Sequence, residues 1–322
     1  MPLLTNLDHI ELNGNSLPIL IGDGNQMTES FIVENLDELY GIYADVGIVL
    51  FRNFSKPDIA SIERVSKLLL GKSTEQLGTY TERKKVSEVV YTATIKHKND
   101  CIPMHSENAY FREFPRSMLF YSKKVAESGG KTPLLACLKK VTSSVPDDIK
   151  NRVAEQGVMS VRRSGVLPGQ DWKSVYPGFT KQELTEHLQQ QGIEVDWNGD
   201  TLTTHCRLPG LLDHPNTGEK LWFNALCSSN SYVVPSAVRE YLVREFGESN
   251  LPTDTFYGNG DHLPFEDFSQ IKNAYDSNKF SFSWQPEDLL WVDNLRYAHG
   301  RDSYVGEREL LVIQGNPHQW RM

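Results

Sequence analysis

Cysteine is scarce in this chain, and nothing in its placement organises a fold. The four residues, Cys101, Cys137, Cys206 and Cys227, show no C-x-x-C spacing. That disfavours a zinc ribbon or a disulfide framework and leaves free thiols as the expectation. The helical H-E-x-x-H of zinc hydrolases is absent as well. Positive charge is in deficit, with 33 Lys and Arg against 42 Asp and Glu and a formal charge of −9, which argues against a nucleic-acid backbone as partner. No apolar run approaches the roughly 20 residues that a membrane span requires. The opening stretch MPLLTNLDHIELNG has no basic region and meets an acid within eight residues; the expectation is neither a secretory signal nor a membrane anchor, and a cytoplasmic protein. No repeat or low-complexity segment is visible, so solenoid and linker architectures drop out.

What is present is ordinary globular sequence. With 322 residues, 39% hydrophobic and 23% charged, the chain can bury a large core as one domain of a large all-β type or as two smaller ones; length does not decide. Helical spacing from Glu34 to Tyr43 places Leu36, Leu39, Tyr40 and Tyr43 on one face. The β-branched run Val46-Gly47-Ile48-Val49-Leu50-Phe51-Arg52-Asn53-Phe54 follows and reads as a buried central strand. Ser55-Lys56-Pro57-Asp58 opens a helix through about Leu70, with Pro57 and Asp58 in its first turn. Strand patterns recur at Val86 to Ala93 and Met118 to Tyr121, and helix signals at Leu135 to Val141 and Pro146 to Gln156.

From about 157 to 257 the pattern is mixed and reads as an insertion within a single domain spanning 1–322. It holds a strand at Val158 to Arg163, a helix from about Lys181 to Gln191, and a hairpin over Val195 to Leu202 turned by Asn198-Gly199-Asp200. Helices near Ser236 to Phe246 and Phe265 to Asn278 precede strands around Leu289 to Val292 and Leu310 to Gln314. Strands at both ends with helices on the flanks fit a β-sandwich or jelly roll.

Two stretches carry metal-site chemistry. In Pro103-Met104-His105-Ser106-Glu107-Asn108-Ala109-Tyr110, His105 and Glu107 stand two apart, the spacing that puts both side chains on one face of a strand. A neutral imidazole and a carboxylate are most of what a non-haem Fe(II) site needs. The best candidate for the missing imidazole is His299, in Asp293-Asn294-Leu295-Arg296-Tyr297-Ala298-His299-Gly300-Arg301. Alone, a His-x-Glu pair is weak evidence, because nine histidines and 42 acids make the spacing common by chance.

The surrounding text resembles the Fe(II)- and 2-oxoglutarate-dependent dioxygenases of the TauD/TfdA superfamily, in the branch of clavaminate synthase and the SyrP-like amino-acid hydroxylases. Five blocks stand in family order: Gly47 to Arg52; His105 to Tyr110; Gly129-Gly130-Lys131-Thr132-Pro133-Leu134; His214-Pro215-Asn216-Thr217-Gly218-Glu219 with Trp222-Phe223-Asn224; and Asp293-Asn294 to Arg301 with Gly306-Glu307-Arg308. The resemblance implies a mainly β fold, a double-stranded β-helix with flanking helices. It implies His105, Glu107 and His299 as iron ligands and Thr132 as a contact to the cosubstrate carboxylate. Arg308, expected on the strand after the distal histidine, would pair with the far carboxylate of 2-oxoglutarate, a task for which a planar guanidinium is suited. Its rival Arg301 lies closer to the metal.

The same resemblance implies Fe(II), 2-oxoglutarate and O2 as the chemical apparatus, and oxidation of an unactivated C–H bond. A glutamate at the ligand position favours hydroxylation or desaturation, since a halogenase would be expected to lack a carboxylate there. The implied substrate is an amino acid or a derivative, free or tethered to a carrier protein, in specialised-metabolite biosynthesis. Arg163, Asn224 and Arg301 are candidate substrate contacts. The competing reading is a non-catalytic metal- or sugar-binding jelly roll, which gives no reason for Thr132 and Arg308 to match.

Overall fold

The computed structural model describes residues 7–74, 83–129, 134–168 and 170–320. The helical face read before the first core strand is two helices, Thr28–Glu34 and Leu36–Val46. The second stops where Gly47 takes a left-handed φ of 76°, a conformation open to glycine at little steric cost. The strand Ile48–Arg52 follows with its four apolar residues buried. Such an unbroken apolar run needs cover on both faces of its sheet, and it receives it. The strand lies third in a seven-stranded sheet ordered Leu7–Leu12, Asn15–Ile21, Ile48–Arg52, Leu289–Asp293, Glu113–Lys124, Glu309–Gln319 and Tyr91–Thr92. All neighbours are antiparallel except Asn15–Ile21 and Ile48–Arg52, which are parallel.

Alternation divides this major sheet into two apolar faces. Val49, Phe51, Leu119, Trp291 and Ile313 pack under the helices with Phe31, Leu39 and Ile62. Trp291 is fully buried, stacked on Tyr43 at 3.8 Å between ring centroids, and its indole N–H donates to Ser117 Oγ at 2.8 Å. The helix Ile59–Leu70 that helps cover this face starts one residue later than a first-turn Asp58 requires. Asp58 is instead its N-cap, accepting from the Ser61 amide at 2.7 Å, which satisfies an otherwise orphaned donor. The opposite face, with Leu50, Met118, Phe120, Val292 and Val312, looks into the interior together with Leu135, Phe280 and Tyr297.

Those last residues belong to a four-stranded minor sheet ordered Lys279–Phe280, Leu134–Cys137, Tyr297–Arg301 and Ile102–His105. Two sheets closing on one apolar interior form the jelly roll. The strand Leu134–Cys137 corrects the sequence reading, which began a helix at Leu135; the helix there is Leu138–Ser144. A four-residue apolar run has no period of its own, and pairing with Tyr297–Gly300 decides its conformation. Likewise only Tyr91–Thr92 of the stretch Val86 to Ala93 is a strand.

Residues 158–257 carry their own four-stranded sheet, ordered Glu194–Asn198, Thr201–Leu208, Val158–Ser164 and Thr253–Tyr257. Its apolar side shares one core with the rest of the chain: Leu184, Leu202 and Trp222 pack in the same cluster as Ala109, Phe114, Leu295 and Ala298. No helix among the described residues is long and apolar enough to cross a membrane.

Candidate metal centre

The site is built at the edge of the minor sheet. His105, the last residue of Ile102–His105, sits directly opposite His299 on the antiparallel strand Tyr297–Arg301, a register that brings side chains within about 5 Å of each other. The two ring centroids are 4.3 Å apart. Register shifts after His299, so that Arg301 opposes Ile102. The intervening Gly300 lies so close to the neighbouring strand that a Cβ there would meet Ile102 O at 2.8 Å and Met104 Sδ at 3.0 Å. Phe120 covers the other side of His299, ring edge to face, at 5.2 Å.

Glu107 reaches the same place by a different route from the one its spacing suggests. The strand ends at His105, and Glu107 lies in the turn that follows. Strand alternation therefore does not aim its carboxylate; Asn294 positions the turn. The buried Asn294 amide accepts from Glu107 N at 2.7 Å and donates to Glu107 O at 3.0 Å and Pro115 O at 2.7 Å. Asn108 completes the turn at φ 55°, a left-handed position that Asn tolerates better than most residues. Asp293 is in turn bonded to His214 Nε2 at 3.1 Å, while His214 Nδ1 accepts from the Thr217 amide at 3.1 Å. The His214 to Glu219 block thus buttresses the Asp293-Asn294 turn behind the site.

The ligand atoms of His105, Glu107 and His299 all lie within 4.8 Å of one another, and Glu107 Oε2 is 3.7 Å from His299 Nε2. Two features suit them to a divalent ion. His105 Nδ1 donates to Pro103 O at 2.9 Å, so the lone pair is left on Nε2, and a carbonyl on the far nitrogen is the usual orientation of a ligating imidazole. Burial, reinforced by the neighbouring His299, pushes the His105 imidazole down to about 4, so it is neutral at pH 7. Burial alone would raise the Glu107 carboxyl, but the Arg83 guanidinium, the contact with His299 and His105 together outweigh it and hold Glu107 well below the carboxylate range. Two imidazoles and one carboxylate in this grouping form the donor set that favours Fe(II) with open positions.

Three arginines surround the cavity beside the imidazoles: Arg83, Arg301 and Arg308. Arg301 is buried and donates to the carbonyl oxygens of Lys96, His97 and Asp100, the last at 2.8 Å. It braces that loop. Arg308 stands one residue before the strand Glu309–Gln319, not on it. Burial, then repulsion from Arg301, push it down to about 10, which leaves it charged at neutral pH. Arg83 donates to Glu107 Oε2 at 2.9 Å. Arg163 and Asn224 do not line this cavity. Arg163 donates to Leu251 O and Ser249 O at 2.7 and 2.9 Å, and Asn224 bonds Gly210 O and the Leu226 amide at 2.8 and 3.0 Å; both serve the scaffold of residues 158–257. Thr132 lies outside the described residues.

Sequence reasoning passed over Arg83 and gave Asn294 no role. Arg83 sits in Glu82-Arg83-Lys84-Lys85, where a charge run reads as solvated surface, and nothing local marks one member as buried.

Comparison with known proteins agrees with this geometry. The family model described as "Taurine catabolism dioxygenase TauD, TfdA family" matches residues 23–314. The dapdiamide synthesis protein DdaC of Enterobacter agglomerans is 28% identical over 99% of this chain and 98% of its own. A clavaminate synthase-like protein of Arabidopsis thaliana is 24% identical over 83% of this chain and 80% of its own. Among solved structures, PvcB of Pseudomonas aeruginosa superposes with a TM-score of 0.56 at 12% identity, covering 98% of this chain and 93% of its own. A taurine dioxygenase from Burkholderia xenovorans gives 0.55 at 13% identity, covering 98% and 91%. At such identities the structural likeness speaks for the fold alone.

Proposed function

Given that the chain belongs to the TauD/TfdA family and is a 2-oxoglutarate-dependent dioxygenase using Fe(II) and O2, we propose that His105, Glu107 and His299 hold the iron and that the substrate is amino-acid-like. The observation that supports this most is the convergence of three side chains from two distant segments into one buried donor set. When bound, iron and 2-oxoglutarate supply the oxidising chemistry, with loss of CO2 and formation of succinate. The chain's own residues hold and orient. His105, fixed by Pro103 O, and Glu107, whose backbone is fixed by Asn294, would hold the metal together with His299. Arg308 takes the far carboxylate of 2-oxoglutarate, on the same cavity wall as Leu310 and Val312. Thr132 is assigned the cosubstrate contact on the family pattern alone.

The substrate class rests on the relatives. One is a protein of dapdiamide synthesis, and another structure is described as an Fe, alpha-ketoglutarate dependent oxygenase from an isonitrile synthetic pathway. The reading is hydroxylation, or related oxidation of an unactivated C–H, of an amino acid or derivative, free or carrier-tethered, in specialised-metabolite synthesis. We also read 1–322 as one domain with an insertion at about 157–257, supported by the core that the inserted sheet shares with the jelly roll.

Anaerobic addition of Fe(II) and 2-oxoglutarate is expected to produce a weak visible charge-transfer band, absent when either is omitted and lost in Glu107→Ala. With O2, a mass-spectrometric screen of amino acids and carrier-bound aminoacyl groups is expected to find a gain of one oxygen atom coupled to succinate. If no succinate forms with any substrate and Glu107→Ala leaves iron affinity unchanged, the assignment is wrong.

A further inference from the structure

Arg83 is buried beyond what its one ion pair explains. Its side chain is 7% exposed and that of its partner Glu107 is 5% exposed. Nη2 donates to Glu107 Oε2 at 2.9 Å, while Nε and Nη1, both buried, have no hydrogen-bond partner among the described residues. A guanidinium offers five N–H bonds and no acceptor, and leaving buried donors unmet is costly. Arg301, in the same cavity, also has an unpartnered Nε, but three backbone carbonyls converge on its terminal nitrogens. Among the described residues, no other hydrogen-bond partner reaches Arg83 than the carboxylate proposed to bind metal.

Charge sharpens the contrast. Without metal, Arg83 and Glu107 balance one another. A divalent ion on Glu107 would be the largest local charge in the site, and the carboxylate would then be shared between a dication and a guanidinium. The pair would need a further anion. The cosubstrate would not provide it under the proposed arrangement, its two ends being assigned to iron and to Arg308, and the terminal nitrogens of Arg301 are given to its loop. Among the described residues lining this cavity, Arg83, on the wall that also holds His105 and His299, is the cation left over.

We infer that Arg83 is the receptor for a carboxylate of the organic substrate, and so selects substrates that bring a free carboxylate to the metal. This rests on the iron and 2-oxoglutarate reading above. Glu107 fixes Nη2, and the adjoining edge of the planar group presents two N–H bonds to a carboxylate, a bidentate geometry that lysine cannot reproduce. A substrate held on a carrier through its only carboxyl group would lack the matching anion, so the assignment favours a free amino acid or one with a second carboxylate.

The test uses the full chain loaded with Mn(II) and N-oxalylglycine, a redox-silent pair. The probes are the proteinogenic L-amino acids and their carboxamides, read by melting shift and calorimetry on wild type, Arg83→Gln and Arg83→Lys. At least one acid is expected to bind wild type while its amide does not. Its affinity, measured at saturating Mn(II), should fall about tenfold to a hundredfold in Arg83→Gln and by an intermediate factor in Arg83→Lys, with N-oxalylglycine affinity changed less than about threefold. The inference is overturned if amides bind as well as acids, or if no acid binds. It is also overturned if, at saturating Mn(II), Arg83→Gln leaves the affinity of the acid unchanged, making the residue only a counter-ion of Glu107, or weakens N-oxalylglycine as much as the acid, making it a cosubstrate contact. Failure of wild type to bind Mn(II) and N-oxalylglycine at all would instead sink the underlying metal-site reading.

Discussion

Two buried polar groups in this molecule look alike by composition and behave in opposite ways. Within residues 158–257, Asp254 accepts from the amides of Ser231 and Thr255 at 3.0 and 2.9 Å, and Asn230 donates to both Thr255 O and Thr255 Oγ1 at 3.1 and 3.0 Å. Each polar atom answers another. Around His105, the buried His299 Nδ1, Ser106 Oγ and two nitrogens of Arg83 find no partner among the described residues. A satisfied network fixes one backbone arrangement and is finished when the chain folds. Unanswered donors and acceptors raise the energy of the fold and persist where a ligand is to be met.

The strongest break of the contrast comes from the ligands. His299→Ala or Glu107→Ala is expected to reduce iron affinity and turnover by at least about a hundredfold, since even residues that only orient ligands cost 10–100-fold when lost; equilibrium dialysis and succinate formation measure this. Next comes a matched pair. Asn294→Ala removes three buried hydrogen bonds behind Glu107, and Asn230→Ala removes a comparable set in the insert. Both should lose on the order of 2–3 kcal/mol of stability in denaturant titration, but only Asn294→Ala should also weaken iron, by about tenfold or more. Equal effects on iron would erase the distinction.

Acid probes the same group through His105. The unfolded chain takes up this proton near the ordinary imidazole value, about 6.5, whereas the folded chain resists until about 4. Stability of the metal-free protein is therefore intact above pH 6.5 and is lost as pH falls through that window, by at most about 3 kcal/mol. Melting curves from pH 7 to 4 should show the decline, and His105→Asn should flatten it. The smallest effect is expected for Arg163→Ala, whose bonds to Leu251 O and Ser249 O lie in the insert. Turnover of the loaded enzyme should stay within about twofold while stability falls by roughly 1–2 kcal/mol.

What the sequence disclosed follows the same division. Residues whose chemistry is intrinsic were legible: His105, Glu107 and His299 announce themselves by donor type and flanking text. The geometry that delivers them was not. Glu107 is aimed by a turn held from Asn294, far away in the chain, and a two-residue spacing cannot distinguish that from strand alternation. Leu135 to Cys137 reads as the start of a helix because its strand character comes from Tyr297 to Gly300 across the sheet, a tertiary override of local pattern. Arg83 was hidden for the converse reason, since a lone buried cation among exposed lysines has no local signature. By contrast Ile48 to Phe51, covered on both faces, carried its central position in its composition.

The face-to-face register of His105 and His299 ties assembly to synthesis. A one-residue slip between these two strands would turn one imidazole to the other side of the sheet, so the pair exists only in the finished minor sheet. Because its two strands come from opposite thirds of the chain, a nascent polypeptide that has not yet emerged beyond Gly300 can present a single imidazole and a carboxylate, never both rings. On the proposed assignment, a partly made or mispaired chain would lack the complete donor set for the metal.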